Sequence, residues 1–230
     1  MKHPNTQTGQ FVTRYSRRAL LALLLGVAVG PLAAWTARAD DDQAITKMRW
    51  DLIHIASFSP VTIQAGGEDS AKANEGSMIT LTGSGTFLVR NGAGLPKGVT
   101  GGGTWETFDN TGKNTGGGTY KVTSLVSWDN APGSPGAGAV DKIGDGTLAD
   151  NRGGLVVLRI EYSDGSKGVL TVSCHQPGAG PPTAPDTVFE GITATKSYVD
   201  YWNRVAPVGG VDGNRTLFHV LPGGQDADND

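Results

Sequence analysis

The chain is short of several things at once, and each shortage removes a class of protein. It carries one cysteine, Cys174, in 230 residues, so no internal disulfide can form and stability must come from core packing and hydrogen-bond ladders. Charged residues make up only 18% of it. Helical bundles are excluded by 35 glycines and 12 prolines, because glycine costs about 1 kcal/mol and proline about 3 kcal/mol in a helix interior. The glycines lack the period of collagen, and runs of Val, Ile, Leu, Thr, Tyr and Trp between them do not fit a disordered chain. An apolar content of 37% supports a modest core. A glycine-rich, turn-rich β protein with one domain of about 150 to 200 residues remains.

Acidic residues are also missing from residues 1–39, which hold Lys2, Arg14, Arg17, Arg18 and Arg38. An apolar stretch from Ala19 to Val29 follows the paired arginines, and the small triplet Ala37-Arg38-Ala39 closes the segment. These are the parts of an export signal cleaved after Ala39; Gly26, Gly30 and Pro31 interrupt the uncharged stretch too often for a stable membrane anchor. Ser16-Arg17-Arg18-Ala19-Leu20-Leu21 resembles the twin-arginine signal, although the usual aromatic residue and trailing lysine are absent. That resemblance covers residues 16–39 only. It implies the twin-arginine export machinery and a signal peptidase as partners, and an extracellular, periplasmic or cell-wall location in a bacterium. Cleavage would leave 14 basic against 22 acidic residues, a net charge of −8, which argues against a nucleic-acid partner.

In the remainder, alternation predicts strands. Trp50 to Phe58 is a first strand ended by Pro60, and Met78 to Arg90 is a long one with Ile79, Leu81, Phe87 and Val89 on a single face. Gly83 and Gly85 fall on that face and leave room for a close neighbour or a bend. Thr104–Phe108 and Thr119–Trp128 flank a turn-rich segment, and the two Gly-Gly-Gly-Thr-aromatic runs suggest a matched hairpin. Leu155–Ser163 and Lys167–Cys174 make the strongest hairpin signal, with Asp164-Gly165 at its turn. Short strands follow at 188–192 and 216–221. Ser197 as a cap, with Tyr198, Tyr201 and Trp202 at spacings of three and four, predicts one short C-terminal helix over Thr195–Arg204. The fold expected is all-β: a single antiparallel β-barrel of about eight strands over residues 40–222, with an acidic tail at 223–230. The loop from Ala131 to Gly153 is long enough to serve as a lid.

Candidate chemistry is sparse. His54 and His219 lie on the first and last strands, neighbours in a barrel, and could meet with Asp51 or His175 as metal ligands; no short ligand spacing supports this, so no metal is expected. Adjacent Cys174 and His175 point to opposite faces of a strand, which leaves Cys174 a small buried hydrophobe. Among carboxylates beside strands, Asp51, Glu106, Asp129, Glu161 and Glu190, catalysis would fall first to Asp51 or Glu161 with His54; a same-face or cross-strand Arg159 or Lys167 explains Glu161 without it. No Gly-Lys-Ser/Thr follows either glycine run, so no phosphate loop and no cofactor is expected. Trp105, Tyr120, Trp128 and Tyr162 would line an interior cavity if there is one, and are core residues otherwise.

In architecture the expected fold resembles lipocalin-type barrels and the allene-oxide-cyclase or dirigent-type barrels. Leu81-Thr82-Gly83-Ser84-Gly85-Thr86-Phe87 is similar to a glycine-bearing strand of the latter. The expected function is an exported protein that binds an apolar or amphipathic small molecule. The alternatives are a cyclase, isomerase or hydrolase using the same cavity, and a surface interaction module without one.

Overall fold

The computed structural model describes residues 44–133, 136, 138–144, 147–176, 187–207 and 213–222. The chain divides into Met1–Asp41 and Asp42–Asp230, and the first unit, with Arg17, Arg18, Ala37 and Ala39, lies outside the described residues. So does the 223–230 tail.

Strands account for nearly all the regular structure, as alternation and glycine content require. They are β1 (Thr46–Phe58), β2 (Val61–Ala65), β3 (Glu68–Lys72), β4 (Met78–Thr82), β5 (Ser84–Arg90), β6 (Ala93–Gly94), β7 (Thr100–Phe108) and β8 (Asn114–Ala131). There follow β9 (Val140–Asp141), β10 (Asn151–Tyr162), β11 (Lys167–Cys174), β12 (Gly191–Lys196), β13 (Val199–Tyr201), β14 (Asn203–Arg204) and β15 (Thr216–Leu221). A three-residue helical turn, Leu148–Asp150, is the one helical element among the described residues.

Pairing runs β10–β15–β1–β5–β7–β8 and returns from β8 to β10, so six strands form a closed circuit. Fewer strands close on themselves than the eight expected, because β4 and β3 extend from β7, and β11, β12 and β13 extend from β10, as side branches of the sheet. All pairings are antiparallel except the short β2–β9 contact.

Two expectations from sequence fail at this level. Met78–Arg90 is split at Gly83 into β4 and β5, since Gly83 has a φ of +152° that favours glycine. A Cβ on Gly83 would lie 2.3 Å from the Tyr120 hydroxyl, and one on Gly85 would lie 2.7 Å from Nε1 of Trp50. The glycines on the apolar face thus seat a tyrosine and a tryptophan. The second failure concerns Thr195–Arg204, which is not helical. Ser197 turns with a φ of +56°, and Lys196 pairs with Val199 as β12 folds back into β13. A ten-residue helix is marginal by itself, whereas β11 offers a ladder to Ile192, Thr193 and Ala194. The aromatics part company: Tyr201 is buried, Trp202 is half exposed and Tyr198 is 95% exposed.

Hairpin chemistry follows the sequence more closely. Gly165 takes a φ of +84° between β10 and β11, and Asp164 accepts from the Ser166 N–H at 3.0 Å. Asp109 likewise holds the turn between β7 and β8 by accepting from the N–H groups of Thr111 (2.9 Å) and Lys113 (3.0 Å). That loop is shorter than expected, and both glycine triplets lie within strands; antiparallel register sets Gly103 against Tyr120 and Trp105 against Gly118.

Candidate functional site

The space within the strand circuit is filled by aromatic side chains. Phe87 on β5 packs on Trp128 of β8 at 5.1 Å between ring centroids, and Trp128 packs on Phe218 of β15 at 4.7 Å, contacts between strands that do not pair. Trp105 of β7 meets Tyr162 of β10 at 5.7 Å in the same manner, with Tyr120 beside Tyr162 at 6.3 Å. Lys196 covers this cluster, its ammonium 4.3 Å from the Trp105 ring centre, and is itself paired with Asp164. The four aromatics expected to line a cavity are therefore core. Tyr120 and Tyr162 also border, with Glu161, a smaller space of about 320 Å³.

The opposite face of β1 and β15 is polar. Register sets Trp50 against Phe218 and Arg49 against His219, so Arg49 and Asp51, two residues apart, share a face with His219. Arg49 donates to both oxygens of Asp51, at 2.8 and 2.7 Å. His219 donates through Nε2 to Asp141 Oδ2 at 2.8 Å, while its Nδ1 lies 3.9 Å from Asp51 Oδ2. Burial pushes the Asp51 carboxyl up despite Arg49. At Asp141 the push of burial is outweighed by hydrogen bonds from His219 and the Ile143 N–H, and its carboxyl is held below the usual range. With Asp51, Asp141 and His219 all at most 5% exposed, this cluster has no access for a substrate. It ties β1, β9 and β15 together from within.

Following the same face along β1 and β15, Ile53 comes two residues after Asp51 and Leu217 two before His219. Both line a cavity of about 540 Å³, a size typical of small-molecule sites. Its apolar wall comes from Ile53, Ile55, Phe58, Val61, Ile63 and Leu217. Phe58 and Val61 are 42% and 38% exposed, which gives the wall an open apolar rim. The polar wall comes from Asn151, His175, Gln176, Glu190 and Arg215.

Glu190 organises that polar wall. Its Oε2 accepts the His175 N–H at 2.7 Å and its Oε1 the Thr216 N–H at 2.6 Å, so one carboxyl joins the end of β11 to the start of β15. Thr216 adds a hydrogen bond from Oγ1 to the Ser173 carbonyl at 2.7 Å. Burial raises Glu190 to about 7, against the opposing pull of these N–H groups and of Arg215. Around it several buried polar atoms have no hydrogen-bond partner among the described residues: both amide atoms of Gln176, Nε2 of His175 and Nε of Arg215. Gln176 and Asn151 are only 3% and 4% exposed. Unsatisfied buried polar atoms are uncommon in folded proteins, and several of them gather around this one cavity. Cys174 also lines the cavity; burial raises its thiol, so it is a wall atom and no nucleophile.

The residues singled out from sequence divide as follows. Asp51 and His219 come together, but His54 does not join them: it pairs with Gln64 of β2, past the end of the β1–β15 ladder and on the opposite face of β1. Glu161 sits between cross-strand neighbours Lys121 and Lys167, with Lys121 Nζ at 3.6 Å, an ordinary exposed ladder pair. Among the described residues no group of three His, Cys, Asp or Glu side chains is placed to hold a metal ion. Asp141, Asn151, Gln176 and Arg215 carried no signal, since each is a lone polar residue near a strand end whose partners come from distant segments.

Comparison with known proteins finds no matching family model, no matching curated protein and no matching solved structure. What the fold and site define is therefore a class by geometry: an all-β domain with an aromatic-filled circuit of six strands and a cavity that has an apolar and a polar wall.

Proposed function

We propose that this is an exported small-molecule binding protein, and that its apolar or amphipathic ligand lies in the 540 Å³ cavity lined by Ile53, Ile55, Gln176 and Leu217. The circuit then serves as a closed, filled barrel that holds the cavity walls rigid. One observation carries this reading: an apolar wall faces the buried, unpartnered amide of Gln176 and the buried, unpartnered Nε2 of His175 and Nε of Arg215. An apolar site with a few convergent polar groups is the usual composition of a ligand pocket. Titrating the isotope-labelled domain with small amphipathic compounds tests it by amide chemical shift. Shifts should concentrate at Ile53, Ile55, Gln176 and Leu217 and vanish in Ile55→Trp, which fills the cavity. Shifts centred on Trp105, Tyr120, Trp128 and Tyr162 would refute the placement.

A second reading, a cavity enzyme, rests on Glu190, whose value of about 7 suits general acid–base work. In that case Glu190→Gln abolishes turnover of a bound compound while retaining its affinity. For a binding protein there is no turnover to lose.

A further inference from the structure

Which head group the cavity takes can be argued from what its polar wall leaves unfinished; this rests on the binding function proposed above. The acid of the wall is already satisfied, because the two oxygens of Glu190 each accept a backbone N–H. Its base is not. Arg215 is half-buried and its charge acts on Glu190, but its buried Nε has no hydrogen-bond acceptor among the described residues. Next to it in the same lining, the Gln176 amide nitrogen and His175 Nε2 are further buried groups without partners that can donate. Three unfilled donors, one of them cationic, opposite an apolar wall of Ile53, Ile55 and Leu217 call for an anion on an apolar body, with the unpartnered Gln176 Oε1 left to ordered water.

We propose that the cavity binds an amphipathic carboxylate, with its head on Arg215, Gln176 and His175 and its body along Ile53, Ile55 and Leu217. A guanidinium suits this head because its planar N–H groups match the two oxygens of a carboxylate. An amine head would find its one anionic partner, Glu190, already engaged and would leave the Arg215 donor empty. A hydroxyl head would supply an acceptor without the charge.

The experiment is calorimetric titration of the full chain with two matched sets, decanoate with decanol and decylamine, and naphthylacetate with naphthylethanol and naphthylethylamine. The expected result is that the carboxylate of at least one set binds at least tenfold more tightly than its alcohol and amine. Arg215→Gln should lower carboxylate affinity to the level of the alcohol, and Gln176→Leu should lower it about fivefold, each checked for a native amide spectrum. An alcohol or amine that binds as tightly as its carboxylate, or a preference that survives Arg215→Gln or Gln176→Leu unchanged, overturns the assignment of the head group and leaves the binding function standing. Absence of saturable binding by all six compounds overturns both.

Discussion

Replacing Glu190 by glutamine should change how stability depends on pH in a way that can be worked from the structure. Burial raises this carboxyl from its ordinary 4.5 to about 7 in the folded chain. Between those values the folded state holds a proton that the unfolded chain has released, so stability falls as pH rises from 5 towards 8. Integrating the proton binding of the two states over that range gives about 2 to 3 kcal/mol, since each tenfold difference in proton affinity is worth about 1.4 kcal/mol. Glutamine cannot titrate, so this contribution is flat with pH in Glu190→Gln; only one of its terminal atoms accepts, so one of the His175 and Thr216 N–H groups loses its partner, at a cost of about 1 to 3 kcal/mol. The informative quantity is thus the difference in slope. Urea unfolding at pH 5, 6, 7 and 8 should find the stabilities of wild type and variant converging as pH rises, by about 2 to 3 kcal/mol overall. Parallel curves would mean that Glu190 is wetter than its packing implies, and the reasoning about the polar wall would fall with it.

Three further outcomes are expected. Gly83→Ala should destabilise by about 2 to 4 kcal/mol, because it combines a strained φ with a Cβ against the Tyr120 hydroxyl, whereas Gly112→Ala, with a positive φ but open space around it, should cost about 1 kcal/mol; thermal and urea midpoints compare them. His219→Leu removes the partner of buried Asp141 and should cost about 3 to 5 kcal/mol, while Glu161→Gln at its exposed pair should cost less than about 1 kcal/mol; equal losses in urea would refute the distinction between the two. Protein secreted from a bacterial host through its own leader should begin at Asp40 by intact mass, and Arg17→Lys with Arg18→Lys should block secretion; a different start residue or unaffected secretion would overturn the export assignment.

Alternation along the chain was enough to determine the buried face of several strands. Ile79, Leu81, Phe87 and Val89, or Val156, Leu158, Ile160 and Tyr162, go inward because a strand has a period of two and one face must leave water, whatever it pairs with. Turn chemistry was equally local: Asp164-Gly165 and Asp109 hold their turns with their own backbone. Aromatic spacing misled at Thr195–Arg204, because the same residues satisfy a helical period and a strand's alternation, and only the free edge of β11 chooses between them. Partners across the fold were out of reach from the sequence. His219 and Asp141 are 78 positions apart, and Glu190 and Thr216 are 26 apart. Neither pair leaves a periodic trace. Burial preference is a property of each residue in its own strand and can be read from sequence, whereas a carboxylate's partner, and hence the polar wall of the cavity, depends on which strands close the circuit. That closure was decided only when β8 paired with both β7 and β10 and β15 settled between β1 and β10.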